Sequence, residues 1–301
     1  MAPCGCDNGS APFTAGWEAR ALSFESGRGG AGVKLAVCGK GGVGKTTVAA
    51  LLAEVYARRG YRVLAVDADP DANLGAALGF DPGELARVVP VAAMDELIAE
   101  RTGARPGSVG GWFALNPRVD DLPERLGLVR DHIRLLVMGG VKPAGGGCAC
   151  PENALLQALL RHLVLQRNDT VVVDLEAGLE HVGRGTARGV DAFLVVVEPG
   201  RRSYQTARAV AVAARALGVR RVLAVANKVG PGQEKVVRGG LEAEMAAHGL
   251  EPLPLVAVFP YEAEAVQADA EGRPVYESCP RLLQVAEDLF GILQAELERP
   301  E

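Results

Sequence analysis

The stretch Gly39-Lys40-Gly41-Gly42-Val43-Gly44-Lys45-Thr46-Thr47 decides the fold. It fits G-x-x-x-x-G-K-[ST], the loop that wraps nucleotide phosphates. Before it stands a short apolar run, Leu35-Ala36-Val37-Cys38, which reads as a buried strand. After it, Val48 to Arg59 reads as a helix stopped by Gly60. Strand, glycine loop and helix in that order are the context the motif needs. The glycines let backbone N–H groups turn inward on phosphate oxygens, and the helix N-terminus adds partial positive charge. In this reading Gly39, Gly41, Gly42, Val43, Gly44, Lys45, Thr46 and Thr47 form the nucleotide cradle. Lys45 reaches the β- and γ-phosphates of ATP, and the Thr46 hydroxyl ligates Mg²⁺.

Working outward, the rest of the chain repeats the pattern. Apolar runs recur at Val63–Val66, Ile133–Met138, Val171–Val173, Phe193–Val197, Val222–Ala226 and Leu255–Phe259. Helix-like stretches lie between most of them, such as Glu152–Gln166, Ser203–Leu217 and Gln233–His248. Strands alternating with helices predict right-handed crossovers and a mostly parallel sheet with helices on both faces: an α/β P-loop domain spanning 33–301. A hydrophobic content of 49% with only 5% aromatics suits strands buried on both sides. The loop-rich segment 100–128 is expected to decorate one face of the sheet. Residues 1–32 are rich in Gly, Ala and Ser without a helical or strand period, and read as a disordered tail.

Ligands of such sheets sit at the carboxyl ends of the strands. Asp67-Ala68-Asp69-Pro70-Asp71 follows one strand and Asp174 ends another. Carboxylates there are costly unless a cation or water uses them. Asp67 and Asp174 are assigned to the Mg²⁺ shell, Asp174 as the Walker-B carboxylate. Asp69 is assigned to orient or deprotonate the attacking water. Asx-turn or helix-cap roles compete with these, most strongly at Asp71. Asn227, after Val222–Ala226, is placed against adenine; a strand-terminating Asn is the plain alternative. Lys40 is a second lysine in the loop. Its stem folds poorly onto its own phosphates but is placed to reach those held by a second copy, where a trans cation is worth ~10³–10⁵ in rate. A solvated loop lysine is the alternative.

Gly145-Gly146-Gly147-Cys148-Ala149-Cys150-Pro151 sets two thiols in a glycine loop, 145–151. Two thiolates leave a metal half coordinated, and a symmetric dimer would supply four. Four thiolates suit Zn²⁺, or Ni²⁺ in a flatter geometry. A redox pair or two unligated thiols are the other readings. Cys38 reads as core, and Cys279 and the scattered histidines, His181 included, take no assigned catalytic role.

With these pieces the chain resembles the signature-lysine P-loop ATPases of the iron-protein, MinD and ParA class. Within it, Cys148-Ala149-Cys150 and Asp174-Leu175-Glu176-Ala177-Gly178-Leu179-Glu180-His181 are similar to the CooC-type ATPases that mature nickel-containing carbon monoxide dehydrogenase. The resemblance runs from Val33 to the C-terminus. It implies an ATP-hydrolysing homodimer that binds Ni²⁺ or Zn²⁺ at its interface and assists nickel loading into carbon monoxide dehydrogenase or acetyl-CoA synthase. The tail before Val33, with its own Cys4-Gly5-Cys6, has no counterpart in that family; a translated upstream region and an auxiliary metal tail both account for it.

Other functions are less well served. A net charge of −5 and an acidic C-terminal stretch argue against a DNA-binding or membrane-positioning ATPase of the ParA or MinD kind. An iron-protein-like electron donor would need a cysteine soon after Asp174, and none occurs before Cys279. No apolar run reaches the ~18 residues of a membrane helix. No secretory signal is evident, so a cytoplasmic location is expected. Six cysteines in a chain of this length are no disulfide framework.

Overall fold

The computed structural model describes residues 32–107, 112–139, 150–165, 167–176, 184–187 and 189–298. Residues 1–31 of the tail, Cys148 and residues 177–181 lie outside the described residues. In chain order the elements are β1 (Lys34–Gly39), α1 (Lys45–Arg58), β2 (Val63–Ala68), α2 (Leu74–Ala77), α3 (Pro82–Leu85), α4 (Asp95–Thr102), α5 (Leu122–Leu126), β3 (Leu128–Arg130), β4 (Ile133–Val137) and α6 (Pro151–Leu165). Then come β5 (Thr170–Leu175), α7 (Arg184–Ala187), β6 (Ala192–Val197), α8 (Arg201–Ala216), β7 (Val222–Val229), α9 (Glu234–Ala246), β8 (Leu255–Pro260), α10 (Ala263–Ala270), α11 (Val275–Ser278) and α12 (Pro280–Glu298).

The described strands form one eight-stranded sheet in the order β3-β4-β2-β5-β1-β6-β7-β8. Every pairing is parallel except β3 with β4. The central strands are apolar at each position because both faces are covered. In β5, Val172 packs with α1 and α12 on one face. Its neighbours Val171 and Val173 pack with α6, α8 and α9 on the other. Adjacent side chains of a strand point to opposite faces, so an unbroken Val run fills both layers. The expected α/β architecture is what the chain adopts.

Two features differ from the expectation. β3 is a short antiparallel edge strand, joined to β4 through Asp131, whose φ of +49° turns the chain in two residues. Within the segment expected to be loop, α4 ends and α5 forms. Arg101 of α4 grips Asp121 with two parallel hydrogen bonds, Nη1 to Oδ1 at 2.8 Å and Nη2 to Oδ2 at 2.7 Å. That bidentate pair ties the intervening loop to the helix.

Parallel strands align their carboxyl ends. β1 lies between β5 and β6, and Val37 is in register with Asp174 while Asp67 pairs with Asp174 across β2 and β5. The P-loop and both strand-end carboxylates therefore share one end of the sheet.

Candidate functional site

Gly39 ends β1 with φ +149°, and a Cβ there would stand 2.4 Å from the Val196 carbonyl oxygen of β6. Only glycine lets β1 leave the sheet so close to its neighbour. Gly44 precedes α1 in a left-handed conformation, φ +90°, with its carbonyl accepting from the Val48 N–H at 3.1 Å. A Cβ on Gly44 would lie 2.2 Å from the Asn227 amide nitrogen. The loop is thus pressed between β6 on one side and the end of β7 on the other.

Lys45, the first residue of α1, is buried to 7% exposure, with Nζ 3.7 Å from Asp69 Oδ2. Thr46 Oγ1 donates to Asp174 Oδ2 at 2.6 Å. The other Asp174 oxygen, Oδ1, is buried and accepts no hydrogen bond. Burial raises the Asp174 carboxyl to about 7; the Thr46 hydrogen bond opposes the rise, and the nearby Asp67 adds to it. Asp67 is raised to about 6 by burial, against hydrogen bonds from two backbone N–H groups. Those donors are Leu74 N to Oδ2 at 2.8 Å and Asp69 N to Oδ1 at 3.3 Å.

A buried carboxylate oxygen that accepts no hydrogen bond, beside a hydroxyl and a lysine, is a costly arrangement. It suits a hard cation carrying oxygen ligands, so the residues present fit Mg²⁺ with a nucleotide. Asp174 fits best, since Asp67 already closes the loop between β2 and α2. Asp69 also makes a turn, its Oδ1 accepting from Asp71 N at 3.0 Å. The Asx turns therefore belong to Asp67 and Asp69, not to Asp71. The following helix starts at Leu74 with Asn73 as its N-cap, leaving Asp71 exposed.

Lys40 extends away from this cluster, its Nζ 3.8 Å from Glu198 Oε1 beyond β6. Asn227 Nδ2 donates to the Val43 carbonyl at 2.9 Å. Lys228 Nζ donates to the Gly42 carbonyl at 2.6 Å. The Asn227 and Lys228 contacts with the loop were not readable from their types; only their position after an apolar run near the P-loop hinted at a role.

Cys150 precedes α6, whose Ala154 N–H donates to the Cys150 carbonyl at 3.0 Å. The chain reaches it from the carboxyl end of β4, where Met138 N donates to the Asp67 carbonyl at 2.8 Å. Cys150 thus begins a helix on the chain segment that leaves β4 at the carboxylate end. Its partner Cys148 is outside the described residues. Among the described residues no group of three or more His, Cys, Asp and Glu could hold a metal ion. Cys38 is buried in β1, its thiol raised to about 12 by burial. Among the described residues no helix is long and apolar enough to cross a membrane.

A buried P-loop lysine and a half-buried threonine, beside paired strand-end carboxylates at the carboxyl edge of a parallel sheet, define a P-loop ATPase. Residues 35–275 match the CobQ/CobB/MinD/ParA nucleotide binding domain family. The chain is 42% identical over 261 residues to the carbon monoxide dehydrogenase accessory protein CooC of Rhodospirillum rubrum, covering 87% of this chain and 96% of that one. It is 40% identical to an uncharacterized ATP-binding protein of Methanocaldococcus jannaschii, over 81% of this chain and 91% of that one. The chain belongs to the CobQ/CobB/MinD/ParA nucleotide-binding family and, within it, to the CooC-type ATPases. The fold is shared with MinD of the MinC:MinD complex of Aquifex aeolicus, at a TM-score of 0.59 and 24% identity over 90% of this chain and 98% of that one. A ParA family ATPase of Chlorobium tepidum matches at 0.62 and 17%, over 86% of this chain and 98% of that one.

Proposed function

We propose that this ATPase is a homodimeric, cytoplasmic metallochaperone that assists nickel insertion into a carbon monoxide dehydrogenase or an acetyl-CoA synthase. The observation that carries the reading is the 42% identity to a carbon monoxide dehydrogenase accessory protein across nearly the whole of both chains. The C-x-C of Cys148 and Cys150 supports it, since thiolates are the donors that nickel and zinc favour.

The geometry supports the following roles. The backbone N–H groups from Gly41 to Thr47 cradle the phosphates. Lys45 leaves Asp69 to meet the β- and γ-phosphates, a shift from a contact of 3.7 Å that a more highly charged partner easily outbids. Thr46 and Asp174 would hold Mg²⁺, with Asp67 beside them, and the bound ion would supply charge neutralisation for the transferred phosphoryl group. Released from Lys45, Asp69 turns its free oxygen to the attacking water. Lys40 exchanges Glu198 for the phosphate held by the second subunit. Asn227 lies beside the adenine.

The metal is cargo. Cys148 and Cys150 of each subunit bind one Ni²⁺ or Zn²⁺ between them. The loop that carries them continues from β4, which is hydrogen-bonded to Asp67, so subunit closure around ATP and metal release are mechanically adjacent events. The test is metal content and oligomeric state with and without ATP, for the full chain and for Cys148→Ser/Cys150→Ser. One metal ion per dimer, lost in the double variant with ATP binding retained, is expected. ATP-dependent activation of a nickel-free carbon monoxide dehydrogenase by the loaded protein then tests the client. A monomer that binds no Ni²⁺ or Zn²⁺ in either nucleotide state overturns the proposal.

A further inference from the structure

The end of β7 is irregular where regularity would be cheap. β7 and β8 are in register at Ala226 and Val258 and again at Val229 and Pro260. β7 therefore uses one residue more than β8 across this interval, and the extra residue falls at Asn227-Lys228. Such bulges re-aim side chains and gather beside active sites. Lys228 also takes φ +57°, a left-handed conformation that strains any residue but glycine. Strain of this kind persists where the surrounding structure holds it, and it marks functional positions.

What the bulge achieves is the delivery of two donors to consecutive P-loop carbonyls, Lys228 to Gly42 and Asn227 to Val43. Each carbonyl shares its peptide plane with the next residue's N–H. A donor on the Gly42 carbonyl polarises the Val43 N–H, and one on the Val43 carbonyl polarises the Gly44 N–H. The Val43 N–H donates to the Lys40 carbonyl at 3.4 Å, so the polarised peptide planes brace the turn of the cradle from Lys40 to Gly44. A loop with glycine at 41, 42 and 44 is otherwise free to sample many conformations.

We infer that Lys228 is a positioning residue of the ATPase: the strained bulge aims its ammonium at the Gly42 carbonyl, holding the P-loop ready for phosphate. This rests on nucleotide binding alone and is independent of any metal or client. It makes a distinctive prediction, because the side chain that aids binding is the one that strains the backbone. Lys228→Gly should weaken binding of a fluorescent ADP analogue roughly tenfold, the loss of a charge-assisted hydrogen bond. KM for ATP should rise by a similar factor with kcat changing about twofold or less. The thermal midpoint should hold or rise as the strain is relieved. Lys228→Arg should recover part of the affinity, while Lys228→Ala should not.

Inorganic tripolyphosphate, which has no base or ribose, separates action through the loop from a direct nucleotide contact. Its affinity should fall by the same factor as that of ATP in Lys228→Gly. Unchanged tripolyphosphate binding with weakened ATP binding would mean that Lys228 touches the nucleoside, and would overturn the inference. So would wild-type affinity for both, or a midpoint that falls in step with affinity, which would mark the lysine as merely structural.

Discussion

Asp174→Asn should stabilise the ligand-free protein while abolishing hydrolysis. The wild-type carboxyl is raised from 3.8 to about 7, chiefly by burial, a shift of roughly 3 units. At about 1.36 kcal/mol per unit this is about 4 kcal/mol. The folded state prefers the protonated acid, so the group's contribution to stability is complete below pH ~3.8 and is lost as pH rises through about 7. Asparagine resembles the neutral acid and does not titrate. It still accepts from Thr46, but its NH₂ replaces an oxygen that had no partner, at a cost of about 1–2 kcal/mol. The net gain at pH 8 is then about 2–3 kcal/mol, and it shrinks by about 2.5 kcal/mol on going to pH 5, where the wild-type acid regains its proton. At roughly 2 °C per kcal/mol for a domain of this size, the midpoint should rise about 4–6 °C at pH 8 and nearly match wild type at pH 5. Thermal scans by circular dichroism, in chelator and without nucleotide, measure this directly. A variant less stable than wild type at pH 8, or one with the same offset at both pH values, would refute the reasoning.

Asp69→Asn should keep nucleotide affinity within a few-fold and slow hydrolysis by about 10²–10⁴, because the amide conserves shape but takes no proton; near-normal turnover would remove Asp69 from that role. Lys40→Ala should bind ATP and fail to hydrolyse it, and mixing it with Asp69→Asn should restore activity, since one site of a mixed dimer has both groups intact. Mixed dimers without activity would place Lys40 in its own subunit's site. Deleting residues 1–32 should leave metal stoichiometry unchanged, as measured by elemental analysis; a loss would move metal binding from Cys148 and Cys150 to Cys4 and Cys6.

The parallel core was legible because burial on both faces demands unbroken apolar runs, and Val171-Val172-Val173-Asp174 advertises both a strand and the carboxylate that ends it. β3 was not, for the opposite reason. It is three residues long, its middle residue Val129 is exposed, and an edge strand covered on one side needs no apolar run. Asp131 in the tight turn was the available signal. The P-loop lysine and threonine were readable from local spacing. The division of labour among the carboxylates was not, because it depends on which backbone N–H groups the β2–α2 loop turns toward each. The Lys228 bulge was invisible, since no residue type marks a lysine for a left-handed conformation.

The two buried carboxylates show why the site is built to be completed by its ligand. Asp67 spends both oxygens on backbone N–H groups and so fixes the loop that presents Asp69. Asp174 keeps one oxygen unpartnered in the interior, and its high pKa records what that costs. In the proposed mechanism a bound cation with phosphates would relieve the cost at Asp174 and draw Lys45 from Asp69 in the same event. Binding would then free Asp69, the one carboxylate of the three that is neither locked into backbone contacts on both oxygens nor buried away from solvent. In the proposed mechanism Asp69, whose Oδ2 lies 3.7 Å from Lys45 Nζ, becomes available to water when phosphates claim the lysine. The β2 strand is hydrogen-bonded at the Asp67 carbonyl to Met138, just past β4, so the strand that carries Asp67 is joined by backbone to the segment leading to Cys150.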